Sequence, residues 1–165
     1  MEKYLGSLLN QKNIKYFNIA FDNSNTIKTF TINQYFEASG SSLNSLHQKD
    51  KLYNLSRKTF MKIFQPFSKV KDYLQVNVKT QELDKFCDKN KIYYLDLLKL
   101  DTEGNEFNIL KGAEKLLSKN KINVIYTEIC STKQNYPDKL KKIKNYLSNY
   151  NFEHVKSYNI PTLIY

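Results

Sequence analysis

An α/β domain with a parallel core and an antiparallel end is what this sequence predicts, on three observations. From residue 91 onward short apolar runs alternate with amphipathic stretches, in the order strand, helix, strand, helix, strand, strand. The two central runs, "KIYYLDLLKL" (91–100) and "INVIYTEI" (122–129), are of the buried kind found in parallel sheets. A length of 165 residues, 41% of them hydrophobic, suits one domain with a core of its own.

Taken in order, residues 2–12 read as a short amphipathic helix and "IKYFNIAF" (14–21) as an aromatic, apolar strand. "TIKTFTIN" (26–33) sets Ile27, Thr29 and Thr31 against Lys28, Phe30 and Ile32, which is strand alternation after an Asn/Ser turn. A polar loop, "EASGSSLNSL" (37–46), follows, and then a lysine-rich stretch (47–68) without a clear period. "YLQVNVKT" (73–80) alternates as a strand, and "QELDKFCDKN" (81–90) makes a short helix with Leu83 and Phe86 on one face. Strand 91–100 ends at Asp101, and "NEFNILKGAEKLLSKN" then places Phe107, Leu110, Ala113 and Leu117 at helical spacing. Strand 122–129 ends near Glu128, helix 137–150 opens on Pro137, and "FEHVKSYN" with "PTLIY" closes the chain as a hairpin.

The net charge is +10, yet every basic residue except Arg57 is a lysine, scattered among Asn, Ile and Tyr. That is a bias of the whole chain. The densest run, "DKLKKIKNY" (138–146), fits a solvated helix face with Leu140, Ile143 and Leu147 inward. Nucleic-acid surfaces usually add arginine forks or a known module, and neither is present, so nucleic-acid binding is the weakest reading. No run of about 18 apolar residues indicates a membrane span. The first residues lack the apolar centre of a signal peptide, so a cytoplasmic setting is the default. Cys87 and Cys130 lack CxxC spacing and read as free thiols, and His47 and His154 form no zinc pattern.

The chemistry concentrates in "YLDLLKLDTEGNEFNIL" (94–110), where Asp101, Glu103 and Glu106 fall directly behind an apolar run. In an open parallel sheet ligands bind beyond the carboxyl ends of the strands. An extended chain there would turn Asp101 and Glu103 to the same side, and Glu128 would reach that edge from the next strand. Carboxylates behind buried positions are costly without a partner. Glu106, in the first helical turn, is explained by the macrodipole alone.

The run "LDLLKLDTEGNEFNILKGAEKLL" resembles the motif of the FkbM family of S-adenosylmethionine-dependent methyltransferases. That family carries D-x-x-K-x-D-x-E-G-x-E on a strand and L-K-G-A on the helix behind it. The matching positions are Asp96, Lys99, Asp101, Glu103, Gly104, Glu106, Leu110, Lys111, Gly112 and Ala113. Leu83 and Asp84 resemble the family's Leu-Asp turn, and Ser41, Ser42 and Leu43 its Ser-Ser-Leu segment. The strand ending at Glu128 and the run "IKYFNIAFD" match as well, so the resemblance covers most of residues 14–130.

The resemblance implies a class I, Rossmann-like sheet and O-methylation of a hydroxyl on a sugar or natural product, with S-adenosylmethionine as cofactor. It implies Asp101, Glu103 and Glu128 as catalytic candidates and Asp101, Ser41 and Ser42 as cofactor contacts. No metal ligand is assigned, although oxygen clusters of this kind also suit Mg²⁺. Lys99 either pairs with a carboxylate of the site or is simply an outward-facing or ion-paired lysine.

One part of that family's pattern is missing. Its cofactor is held by a first strand running into a glycine-rich turn, where glycine lets the backbone approach the ligand. Gly6, Gly40, Gly104 and Gly112 form no such turn. The expectation is therefore a single domain over residues 1–165 with an incomplete Rossmann-like sheet: a parallel core, a C-terminal antiparallel hairpin, and the first two strands lacking. A separate chain supplying those strands is the partner this implies, beside a small hydroxyl acceptor. The alternatives are a non-catalytic interaction remnant of the same fold and, last, a lysine-rich nucleic-acid binder.

Overall fold

The computed structural model describes residues 13–33, 73–129 and 136–157. The expected helix 2–12, the loop 37–46 with Ser41 and Ser42, the stretch 47–68, Cys130 and the last strand lie outside the described residues.

Five strands and four helices are described: β1 (Ala20–Phe21), β2 (Ile27–Asn33), β3 (Tyr73–Gln81), α1 (Leu83–Asn90), β4 (Leu95–Leu100), α2 (Glu106–Lys111), α3 (Glu114–Ser118), β5 (Ile122–Thr127) and α4 (Tyr136–Ser148). They form a mixed α/β fold, a partial Rossmann-like arrangement with two parallel pairings. β4 and β5 run parallel, with Leu97 opposite Val124 and Leu100 opposite Thr127. β1 lies parallel to the end of β3, while β2 runs antiparallel along β3 from Ile27↔Lys79 to Asn33↔Tyr73. The antiparallel element among the described residues is thus the β2–β3 pair. Residues 152–157, expected as half of a closing hairpin, are in no strand.

β1 is shorter than the apolar run 14–21 suggested. The Ile19 N–H donates to Phe17 O at 3.0 Å, a three-residue turn that bends the chain out of extension. Pairing with β3 starts only at Ala20↔Thr80. The link from β1 to β2 is pinned from β3, where the buried Thr80 hydroxyl lies 2.9 Å from Ser24 O and 3.1 Å from Thr26 O.

α1 buries Leu83, Phe86 and Cys87, a three-four spacing that puts all three on one side. It ends at Lys91, in the left-handed region at φ 56°, with the Ile92 N–H closing onto Cys87 O at 2.9 Å. Burial raises the pKa of the free Cys87 thiol, helped by Asp84 and Asp88.

The continuous helix expected over 105–120 is two short ones, broken at Gly112 and Ala113. Neighbouring backbone causes the break. A Cβ on Gly112 would stand 2.3 Å from the Asp22 carbonyl oxygen, so only glycine allows this approach. The Asp84 N–H donates to Gly112 O at 2.9 Å, and the Asp84 carboxylate accepts from the N–H groups of Lys115 (2.7 Å) and Leu116 (3.0 Å). Asp84 thereby caps α3 from another helix, which lets the chain restart its turn without a carbonyl from α2.

The core lies on one side of the β4–β5 pair. Leu110, Ala113 and Leu117 are wholly buried there, with Leu100, Ile109, Ile122 and Ile143 of α4 around them. The lysine-rich face of α4 remains at the surface, where the Lys142 ammonium sits 4.0 Å from the centre of the Phe107 ring. On the opposite side of the pair Leu97, Val124 and Tyr126 are 59%, 50% and 44% exposed. No helix among the described residues is long and apolar enough to cross a membrane.

Candidate active site

Register brings the acids together. Leu100 pairs with Thr127, and the Glu128 N–H extends the ladder by donating to Leu100 O at 2.9 Å. Asp101 and Glu128 therefore follow paired residues at the carboxyl ends of adjacent parallel strands. Behind them Leu100 is buried, so the change from core to site takes one residue.

The path beyond Asp101 differs from the extended one expected. Residues 102–104 bend, with Glu103 left-handed at φ 52° and Gly104 at φ 104°. The rule that alternate side chains share a side fails here because it holds only for extended backbone. Glu103 still lies within electrostatic reach of Glu128 by way of the bend.

Glu106 occupies a place the macrodipole does not explain. It is 4% exposed, and its Oε1 accepts from the Thr102 N–H (3.0 Å), the Thr102 hydroxyl (2.9 Å) and the Gly104 N–H (3.0 Å). All three donors precede the helix. Beside it the buried Asn105 donates through Nδ2 to Phe21 O at 3.0 Å, and its Oδ1 accepts from Asn108 Nδ2 at 2.8 Å. The site loop is thus tied to the end of β1.

Electrostatics follow from this crowding. Glu128 is exposed, and loss of part of its hydration raises its pKa; the carboxylates of Asp101 and Glu103 raise it further, Lys99 opposes them and Glu106 adds a smaller push. Lys99 lies 3.7 Å from the Asp101 carboxylate, both well exposed, a surface ion pair that fits either of its two readings. Next to Phe21, Asp22 is fully buried and its Oδ2 pairs with the Lys28 ammonium from β2.

Register thus sets Asp101 beside Glu128, with Glu103 in electrostatic reach of Glu128, whereas Ser41 and Ser42 lie outside the described residues. Sequence reasoning missed Asn105 and Asp22, both of which look like ordinary turn residues. The one signal for the latter was that Asp22 ends the run "IKYFNIAFD" of the family resemblance. Among the described residues no group of three or more His, Cys, Asp and Glu side chains is arranged to hold a metal ion. His154 is remote from this chemistry in sequence, its ring 2.9 Å from the Ser157 hydroxyl.

Comparison with the curated proteins and with the solved structures finds no match. Among protein families, the methyltransferase FkbM domain matches residues 7–154, a span that takes in every described strand and the whole acidic loop. With that match over most of its length, the chain belongs to the FkbM methyltransferase domain family.

Proposed function

We propose that this chain methylates a hydroxyl group on a sugar or natural product with S-adenosylmethionine as the methyl donor. The observation that carries the reading is the juxtaposition of Asp101 and Glu128 at adjacent parallel strand ends within a methyltransferase domain. Bound S-adenosylmethionine supplies an electrophilic methyl group on a positively charged sulfur. The donor set suits that charge, since Asp101, Glu103 and Glu128 outnumber the nearby Lys99. Asp101, Ser41 and Ser42 are the residues that would hold the cofactor.

The acceptor hydroxyl must lose its proton as its oxygen attacks, and a carboxylate with raised proton affinity is the better general base. Glu128 fits that role. Asp101, with Lys99 beside it, orients the acceptor, and positioning is the larger part of such a displacement. Glu103 adds negative charge to the same rim.

The test is transfer of a radiolabelled methyl group from S-adenosylmethionine to a panel of hydroxyl-bearing sugars and natural products. It is run on the chain alone and on the chain mixed with a polypeptide carrying the family's first two strands and glycine-rich turn. Labelled product is expected, reduced about 10²-fold or more by Glu128→Gln or Asp101→Asn with the fold retained. No product from the native chain in either arm would overturn the reading.

A further inference from the structure

We propose that Glu106 is a positioning residue, whose buried carboxylate clamps residues 102–104 and so sets where Asp101 and Glu103 stand relative to Glu128. The inference rests on reading the strand-end carboxylates as the methyl-transfer site, and it assigns Glu106 no contact with substrate.

The geometry separates this role from helix capping. A capping side chain accepts from N–H groups of the first turn, but the groups bonded to Glu106 belong to Thr102 and Gly104, upstream of α2. Three bonds converge on one oxygen of a side chain that is almost fully buried. Hydrogen bonds to a charged acceptor are the strong kind, and here they hold a loop whose own conformation is unfavourable. Glu103 adopts a left-handed φ of 52°, which residues other than Gly, Asn and Asp rarely take, and Gly104 follows at φ 104°. Gly104 suits the bend, but the left-handed Glu103 before it does not, and the bonds from Glu106 to Thr102 and Gly104 flank that residue on both sides.

The consequence reaches Glu128 through space. Among the described residues, the charged groups that act on it are Asp101 and Glu103 from the loop, Lys99 from β4 and Glu106 itself. If the loop relaxes, the carboxylates of Asp101 and Glu103 move and Glu128 loses part of what keeps its proton. Glutamine is the discriminating substitution. All three bonds fall on Oε1, so the carboxamide oxygen of Glu106→Gln can accept them while the charge is gone.

The experiment is a carboxyl-carbon NMR titration of Glu128 in the full chain, with amide exchange at Thr102 and Gly104 measured on the same samples. Glu106→Gln is expected to keep Glu128 near its native midpoint and the two amides within about threefold of native exchange. Glu106→Ala is expected to lower the midpoint toward that of an ordinary glutamate and to speed both amides more than tenfold. Equal midpoint shifts in the two variants would mean that only the charge of Glu106 matters, and would overturn the proposal, as would unchanged exchange in Glu106→Ala. Should Glu106→Ala fail to fold by circular dichroism, Thr102→Val carries the test. It removes one of the three donors without altering charge, and a native midpoint and native Gly104 exchange in it would overturn the clamp. These readouts need neither cofactor nor acceptor. A chain that transfers no methyl group but shows the Gln/Ala difference defeats the proposed function and leaves the positioning role standing.

Discussion

Glu128 carries a cost that its position imposes. Its folded pKa lies above the ordinary glutamate value of 4.5, because some loss of hydration at this exposed side chain and the Asp101 and Glu103 carboxylates disfavour its charge. Between the ordinary and the raised value the folded chain keeps a proton that the unfolded chain has released. Stability from this group therefore falls as pH rises through that window and is fully present below it. Glu128→Gln removes the dependence. Melting curves should show the variant gaining on the native chain as pH goes from about 4 to about 7, with the two converging below about pH 4. A difference independent of pH would count against this account. Asp101 and Glu128 were legible in sequence because each directly follows an apolar strand. The role of Glu106 was not, since a glutamate in a first helical turn already has a sufficient explanation. Nor was the left-handed Glu103, because only the neighbouring Gly104 marks the turn.

Periodicity located nearly every described element, and its failures have particular causes. Phe107, Leu110, Ala113 and Leu117 keep helical spacing across the break at Gly112, so a pattern of side chains reads one helix. What divides it is main chain from elsewhere, the Asp22 carbonyl and the Asp84 N–H, which no local pattern contains. Gly112→Ala tests the point. Its methyl group would meet a carbonyl oxygen that belongs to a pinned turn, and a destabilisation of about 1–3 kcal/mol is expected from the shift in the denaturant midpoint. A change below about 0.5 kcal/mol would show that the contact yields freely. β1 fell short of its apolar run for a related reason. Ile14, Tyr16 and Phe17 are apolar but about half exposed, so hydrophobicity there does not report a paired strand.

Across the whole molecule the order of elements from residue 91 onward was legible, and with it the parallel core, since alternating strands and helices leave few other topologies. The asymmetry of that core was not. Among the described residues, α1 to α4 bury one side of the β4–β5 pair, and the other shows Leu97, Val124 and Tyr126. Two leucines make the contrast measurable. Leu110→Ala, at a site with 0% exposure, should cost about 2–5 kcal/mol. Leu97→Ser, at 59% exposure on the bare side, should stay within about 0.5 kcal/mol in the same denaturant titration. A large loss at Leu97 would mean that this side is covered in solution.

The bond from Asn105 to Phe21 O joins residues 84 apart in sequence. Closing so long a loop has an entropic cost that grows with the logarithm of its length, and it falls on the acidic loop itself. The β2–β3 ladder shortens that path, for once Ile27 has met Lys79 most of the intervening chain no longer counts. The β2–β3 pair, which contributes no acid to the site, thereby lowers the entropic cost of joining the acidic loop to the end of β1. Phe21 and both strands of that pair precede Asn105 in the chain, so the shorter path is encoded ahead of the loop it serves.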